Sequence, residues 1–314
     1  MQYLKSEELA KKILFTGLDF AGKSSIILAL QKEFSKIAIL KPTRGAERSV
    51  FTFLGYEFST WDLGGQQTYR INYLRNPSKY FDKTEIAIYV IDIQDSARFD
   101  DAIRYLKDVI KQFKELEIAP PIYIFFHKVD PALIKESRTD LNNLILGLTE
   151  KINNTIEYEK INFYETSIYD LYSIIEAISE ILLNLYPKSN LIDRTLSEFG
   201  KKIKAEGLMI IDDNSLLVGR YYSNDEIKQI LSASSPYFLT LHDRFNEADI
   251  EGSTKKEDEG MVVQRFGKYF QFKEIKFRSD PGGRYYLLIA KDTYEFDINL
   301  TNEFIEIFQD IFTI

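Results

Sequence analysis

Eight residues near the start of the chain, Gly17-Leu18-Asp19-Phe20-Ala21-Gly22-Lys23-Ser24, have the spacing G-x-x-x-x-G-K-[ST]. The glycines let a loop curl until successive backbone N–H groups face a phosphate, and the N-terminus of a following helix adds partial positive charge. Lys23 has the reach for β and γ phosphates, and the Ser24 hydroxyl is placed to ligate Mg²⁺. The candidate phosphate-binding residues are therefore Gly17, Asp19, Ala21, Gly22, Lys23, Ser24 and Ser25. A second cluster, Trp61-Asp62-Leu63-Gly64-Gly65-Gln66, follows about forty residues later. Alone, D-x-G-G ending a strand could be a plain β-turn. After a phosphate loop, Asp62 becomes a carboxylate for a Mg²⁺-bound water, and the N–H of Gly64 or Gly65 can meet a γ phosphate at close main-chain approach. Between the two clusters lies Lys41-Pro42-Thr43-Arg44-Gly45. There Thr43 could complete the Mg²⁺ coordination, although a proline-set loop also serves as mere connection.

Further along, Phe126-His127-Lys128-Val129-Asp130 ends an apolar run. An Asp130 carboxylate can accept from both N1–H and the 2-amino group of guanine, a donor pair adenine lacks, and burial makes such a pair selective. The Lys128 stem would lie over the base plane. His127 fits base-side bracing and a buried structural histidine equally well. Thr166-Ser167-Ile168 ends another short apolar run, where the backbone of Ser167 or Ile168 can offer an N–H to guanine O6.

These residues need a scaffold that brings the ends of several strands together. Strand patterns cover 12–16, 48–53, 57–61, 85–92 and 122–126, with a weaker one at 162–165. Ile103, Leu106, Ile110 and Phe113 mark one helix face; Leu171, Ile174, Ile175, Ile178, Leu182 and Leu185 mark another. The runs 86–91 and 122–126 are apolar on both faces, as in central strands of a mostly parallel sheet covered by helices on both sides. The segments 48–53 and 57–61, joined by Leu54-Gly55-Tyr56, read as an edge hairpin.

The pattern changes at Pro187-Lys188-Ser189-Asn190, a polar break that reads as a linker. A helix follows with Ile192, Leu196, Phe199 and Ile203 on one side. Strands at 208–211 and 216–222 flank the turn Asp212-Asp213-Asn214, and Ser223 with Glu226 suggests a capping box for a helix running to about Asn246. A charged loop spans 251–260. Strands at 261–266, 269–277 and 284–290 come next, divided by Gly267-Lys268 and by Asp280-Pro281-Gly282-Gly283. A last helix places Phe304, Ile307, Phe308 and Ile311 on one face. The order α-β-β-α-β-β-β-α describes a five-stranded antiparallel sheet with helices on its faces. Two domains, 1–188 and 189–314, are expected.

Composition narrows the chemistry. The 314 residues carry 40 basic and 48 acidic side chains, a net −8 that argues against a nucleic-acid backbone as partner. At 45% hydrophobic and 28% charged the chain is too apolar for disorder. Zero cysteines exclude disulfides, thiolate metal sites and lipid attachment to cysteine, and two histidines leave no histidine metal cluster. Gln2 in place of glycine removes N-myristoylation, the first fifteen residues lack a secretory apolar core, and no run is long enough to span a bilayer. A cytoplasmic protein without a membrane anchor of its own is expected, reaching membranes only through partners.

Taken together, the motifs resemble those of small GTPases. The loop GLDFAGKSS, the Pro42-Thr43 pair, the step from Thr43 to Asp62, and WDLGGQ resemble Arf-like proteins. His127-Lys128-Val129-Asp130 in place of the usual NKxD, the Thr166-Ser167-Ile168 end, the course of 72–92, and the extra helix-plus-sheet domain resemble the Rag/Gtr GTPases. The resemblance implies an α/β small-GTPase domain followed by an α+β roadblock/longin-like domain. It implies Mg²⁺ as cofactor, held by Ser24, Thr43 and, through water, Asp62. It further implies a GTP/GDP switch with low intrinsic turnover, Lys23 and Gln66 being catalytic, and Gln66 orienting the attacking water as the corresponding glutamine does in Ras-type GTPases. Partners implied are unidentified activating and exchange proteins, and a homodimer or a heterodimer with another Rag-like GTPase through 189–314. The alternative is a GTP-binding assembly module that does not hydrolyse. Three residues bear on the family pattern: Asp19 stands where Ras-type proteins keep glycine for an inserted arginine, His127 stands for the bracing asparagine, and Gln66 is present as in a hydrolysing subunit.

Overall fold

The computed structural model describes residues 10–186, 188–247, 260–265, 267–277 and 283–313. The N-terminal 1–9, the linker residue Pro187, the loop residues 251–259, Phe266 and the turn residues 280–282 lie outside the described residues. Cα packing divides the chain into two compact units. Residues up to Ile174, except 53–55, form the first; 53–55 and residues from Ile175 onward form the second.

In the first unit, strands β1 (Lys11–Gly17), β2 (Ala46–Phe53), β3 (Tyr56–Leu63), β4 (Thr84–Asp92), β5 (Ile122–His127) and β6 (Ile161–Thr166) make one sheet in the order β2-β3-β1-β4-β5-β6. Strands β3, β1, β4, β5 and β6 are mutually parallel, and β2 sits at the edge as expected of the hairpin. Its turn is tighter than the sequence suggests: only Leu54 (φ 50°) and Gly55 (φ 76°) connect the strands, the positive φ pair that matches strand twist. Leu14, Tyr89, Ile91, Ile124 and Phe126 point to one face, against the buried side of helix α5 (Phe99–Glu115). Ile13, Phe15, Ile88, Val90 and Phe125 point to the other and are equally buried. Both faces are thus covered, which is what parallel strands with near-continuous apolar runs require. The registers Gly17↔Val90, Asp92↔His127 and His127↔Thr166 align the carboxyl ends of β1, β4, β5 and β6 along one rim. That rim is where an open parallel sheet binds ligands.

Helices α1 (Lys23–Leu30), α2 (Phe34–Ile37), α3 (Gln67–Arg75), α4 (Pro77–Tyr80) and α5 lie between the strands; α6 (Pro131–Thr155) and α7 (Leu171–Leu183) follow β5 and β6. The 25-residue α6 has no counterpart among the elements read from the sequence. Its stripe Leu141, Ile145, Leu148 and Ile152 is periodic, but its first half is polar and its helical geometry breaks at Ser137 (φ −159°, ψ 96°).

The second unit pairs β7 (Gly207–Asp212), β8 (Leu217–Tyr222), β9 (Met261–Arg265), β10 (Lys268–Ile275) and β11 (Tyr285–Lys291) in the order β8-β7-β11-β10-β9, antiparallel throughout. Helices α8 (Ser189–Lys202), α9 (Asp225–Glu247) and α10 (Ile298–Thr313) complete the expected order, a sheet that fits a roadblock-like domain. Glycine allows close approach on both sides of β7–β8. A Cβ at Gly219 would fall 2.4 Å from Ile192 of α8, and one at Gly207 would fall 2.6 Å from Leu231 of α9. Phe304 of α10 stacks on Phe199 of α8 at 4.2 Å, so these two helices share a face.

The division between packing units falls inside α7, whose residues from Ile175 onward pack with this sheet. Ser179 Oγ accepts the Leu217 N–H at 2.8 Å, and Glu176 meets Arg220 at 2.8 Å and Lys228 at 2.9 Å. The capping box of Ser223 with Glu226 does not form. Ser223, one residue past β8, donates its N–H to Glu206 O (2.8 Å) and so extends the strand pairing, and Asn224 caps α9 instead, accepting the Ile227 N–H at 2.9 Å. The 212–214 turn forms as expected, with Asp212 Oδ1 accepting the Asn214 and Leu216 N–H groups at 2.9 and 2.7 Å.

Candidate functional site

At the rim of the parallel sheet, β1 ends at Gly17, whose φ of 137° and approach to Val90 O leave no room for a side chain. The loop then turns through Phe20 (φ 61°) and Gly22 (φ 99°) before α1 opens at Lys23. A Cβ at Gly22 would lie 2.4 Å from the His127 ring. The Cδ2–Nε2 edge of the histidine therefore lies against the loop, where the usual motif has an asparagine. Lys23 is buried, and its ammonium donates to Leu18 O at 2.7 Å and Gly17 O at 3.3 Å. Burial, more than any neighbouring charge, lowers its pKa to about 8. A buried cation whose hydrogen bonds go to carbonyls gains from an anion placed beside it.

The second and third clusters close on this loop. Ser24 Oγ lies 2.7 Å from Thr43 Oγ1, both reach Asp62 Oδ2 (Thr43 at 3.0 Å), and Asp62 Oδ1 is buried without a protein partner. Gly64 N–H donates to Gly45 O at 2.9 Å, and the Tyr73 hydroxyl donates to the same carbonyl at 2.7 Å. Gly65 lies against the loop backbone: a Cβ there would fall 2.1 Å from Asp19 N. Gln66 caps α3, its carbonyl accepting the Tyr69 and Arg70 N–H groups at 3.0 Å.

On the far side, Asp130 precedes α6 and is bonded at both oxygens. Oδ1 accepts from Ser167 Oγ at 2.5 Å and Oδ2 from Gln94 Nε2 at 2.9 Å. Each oxygen retains a lone pair for a further donor. Lys128 (φ 67°) is pinned by Asp92 at 2.6 Å. His127 Nδ1 meets Thr166 Oγ1 at 2.9 Å, and burial first, then the Lys128 charge, lowers its pKa to about 4. It is neutral at physiological pH.

One cavity of about 450 Å³ joins these parts, well within the size of a small-molecule site. Of the residues read from the sequence, Asp19, Gly22, Lys23, Ser24, Ser25, Thr43, Gly65, Gln66, His127, Lys128, Asp130 and Ile168 line it. Gly17, Ala21, Asp62 and Ser167 do not. Gly17 offers its carbonyl to Lys23, Ala21 is buried in the loop, and Asp62 stands behind Ser24. Ser167 aims its hydroxyl at Asp130 while its N–H is taken by Ser173 Oγ at 3.0 Å, leaving Ile168 on the base side. Sequence reasoning missed Gln94, which lines the cavity and holds both Asp130 and the Lys128 carbonyl (2.8 Å). Its only signal is its place just past the carboxyl end of β4. Phe20 and Tyr169 at the rim were missed as well.

The family model described as the Gtr1/RagA G protein conserved region matches residues 12–238. The chain belongs to the Gtr1/RagA G protein family. It is a Rag/Arf-like small GTPase, and its curated relatives include Arf-type proteins. The ADP-ribosylation factor-like protein 3 of Chlamydomonas reinhardtii is 37% identical over 127 residues, 40% of this chain and 67% of that protein. The ADP-ribosylation factor-like protein 2 of Arabidopsis thaliana is 34% identical over 109 residues, 35% of this chain and 56% of that protein. Among solved structures, the Arl6 BBS3 small GTPase from Trypanosoma brucei with bound nucleotide analogue GppNp aligns over 55% of this chain and 94% of its own. Its TM-score is 0.42 at 18% identity.

In this Gtr1/RagA-type protein the buried neutral His127 has a consequence for pH. Its pKa is lower in the fold than in the unfolded chain, so the unfolded state binds more protons between pH 6.5 and about 4. Stability from this group is complete above pH 6.5 and is lost as pH falls toward 4, by up to about 3 kcal/mol. Asp212, which burial pushes up to about 7, acts in the opposite sense over the same window, so only a comparison isolates the histidine. His127→Asn should lose about 2 kcal/mol less than the parent between pH 7.5 and pH 5 in urea unfolding. Equal losses would mean that His127 titrates in the fold as it does in the unfolded chain.

Proposed function

We propose that this GTPase is a switch that binds GTP and GDP in the 450 Å³ cavity, hydrolyses GTP slowly with Mg²⁺, and dimerises through 189–314. The observation that carries the reading is the pairing, at opposite ends of one cavity, of a guanine-type carboxylate with a phosphate loop beside an orphaned carboxylate oxygen. At the base end, Asp130 would accept N1–H and the 2-amino group while Ser167 and Gln94 hold it in orientation. At the phosphate end, the loop N–H groups and Lys23 would take the β and γ phosphates, and Gly65 N–H the γ phosphate.

The hydroxyls of Ser24 and Thr43 and the unpartnered Asp62 Oδ1 form an all-oxygen donor set that suits a hard cation. Ser24 and Thr43 would hold Mg²⁺ directly and Asp62 through water. When bound, the ion neutralises charge that develops on the phosphate oxygens. Gln66 would orient the attacking water at the edge of the same cavity. Positioning without an added cation is incomplete catalysis, so turnover on the order of 10⁻⁴–10⁻² s⁻¹ is expected.

Single-turnover hydrolysis by the parent and by Gln66→Leu tests the switch. The variant should fall at least about tenfold below the parent while binding GTP equally well. Equal, near-background rates would overturn the switch and leave the non-hydrolysing assembly module.

Dimerisation draws on the second unit. Its edge strand β9 and helix α9 border a cavity of about 690 Å³ lined by Ile230, Ala233, Tyr237, Phe238, Leu241 and Val263. Tyr237 and Leu241 are 72% and 43% exposed. An edge strand with no further partner among the described residues, beside an apolar groove, is a ready surface for a second such domain, from the same chain or a Rag-like relative. No described helix is long and apolar enough to cross a membrane. Independently of that, we propose a cytoplasmic protein that reaches membranes through partners.

A further inference from the structure

Asp19 is an odd neighbour for a nucleotide. It lines the cavity, and its backbone N touches Gly65, so it sits at the γ-phosphate end. A carboxylate there repels a ligand that carries three or more negative charges, and it opposes Lys23. The structure answers this with Arg98, which ends the short helical turn Ser96–Arg98 before α5. Arg98 Nη1 donates to Asp19 Oδ1 at 2.8 Å, Nη2 to Asp19 O at 3.0 Å, and Nε to Asp95 Oδ2 at 2.5 Å. Asp95 fixes the guanidinium from behind, and the planar fork then grips both the side chain and the main chain of Asp19. The gripped carbonyl belongs to the peptide leading into Phe20, a non-glycine residue held at φ 61°. Left-handed backbone at such a residue persists only where its surroundings hold it. Arg98 itself does not line the nucleotide cavity, so anything it does for a nucleotide passes through Asp19.

We propose that Arg98 is a positioning residue for the triphosphate: by neutralising Asp19 and holding the Asp19–Phe20 peptide, it sets the preference for GTP over GDP. The inference rests on the reading of this cavity as a guanine-nucleotide site. A terminal phosphate bound by Gly65 N–H would lie close to Asp19, so an unmasked carboxylate would penalise the triphosphate more than the diphosphate. The lysine variant, with the charge but not the fork, recovers only part of the effect.

The test is calorimetric titration of GppNp and GDP, each with Mg²⁺, into the full chain and into Arg98→Ala, Arg98→Lys, Asp19→Asn and the Arg98→Ala/Asp19→Asn double variant. Arg98→Ala should lose GppNp affinity about tenfold beyond any loss for GDP, more at low than at high salt. Arg98→Lys should fall between it and the parent. In the Asp19→Asn background, Arg98→Ala should leave the GppNp-to-GDP ratio unchanged. An unchanged ratio in Arg98→Ala, or the same change with and without the Asp19 carboxylate, overturns the inference while leaving the nucleotide site standing. A parent protein that binds neither nucleotide overturns the site, and the inference with it.

Discussion

Replacing Asp130 by alanine should raise the dissociation constants of GTP and GDP by roughly 10³–10⁴-fold. The size follows from what is left behind. Guanine would bring two N–H donors into a cavity where the acceptor has gone, and unpaired donors out of water cost far more than the modest net value of a formed bond. The fold should survive, because Asp130 precedes α6 without a side-chain cap bond. Its two present partners, Ser167 and Gln94, can turn to water. Titration of GTP, GDP and ATP into nucleotide-stripped parent and variant decides the matter, with a thermal melt to show that both are folded. ATP binding equal to GTP in the parent, or indifference to the substitution, would reduce the site to a generic phosphate loop.

The second large effect is expected at Gly65. A methyl group there would meet Asp19 N and Leu18 C at 2.1 Å and Leu18 O at 2.4 Å, all backbone atoms that cannot swing away. Gly65→Ala must therefore push residues 64–66 off the phosphate loop, stretching the Gly64 N–H to Gly45 O bond and moving Gln66 by about an ångström. Misplacement of that size costs on the order of 10²-fold in rate. GDP binding, which needs no contact from Gly65, should change little. Gly147→Ala is the control: beyond its neighbours and the backbone of its own helix, no atom lies within 4 Å of the added carbon, and the position is inside α6. It should raise stability by about 0.5–1 kcal/mol and leave hydrolysis alone. A Gly65→Ala protein that hydrolyses GTP at the parental rate would show that this loop approach plays no part in the reaction.

Much of this was written in local spacing. A phosphate loop is eight consecutive residues, so its chemistry can be read without knowing the fold. The same holds for WDLGGQ and for the run ending at Asp130. Apolar runs on both faces at 86–91 and 122–126 imply buried parallel strands because only a doubly covered sheet can hide them. The element order and turns of the second domain imply an antiparallel sheet, but not the pairing of β11 with β7 that sets its strand order. Local pattern fails where a competing local bond wins. Ser223 and Asn224 are both good caps, and the choice fell to Asn224 because the Ser223 N–H to Glu206 O bond extends the strand pairing past β8.

What only the tertiary structure decided are the contacts between segments distant in sequence. Gln94 and Asp130 lie 36 residues apart, and Arg98 and Asp19 lie 79 apart. Neither Gln94 nor Arg98 belongs to a motif; only the place of Gln94 just past β4 hints at it. Gln94 reaches the cavity, and Arg98 reaches Asp19, because the parallel sheet sets the carboxyl ends of β1, β4, β5 and β6 side by side. The candidate site residues are legible because each motif supplies its own geometry, whereas those that hold the motifs in place owe their positions to strand order, which no single segment encodes.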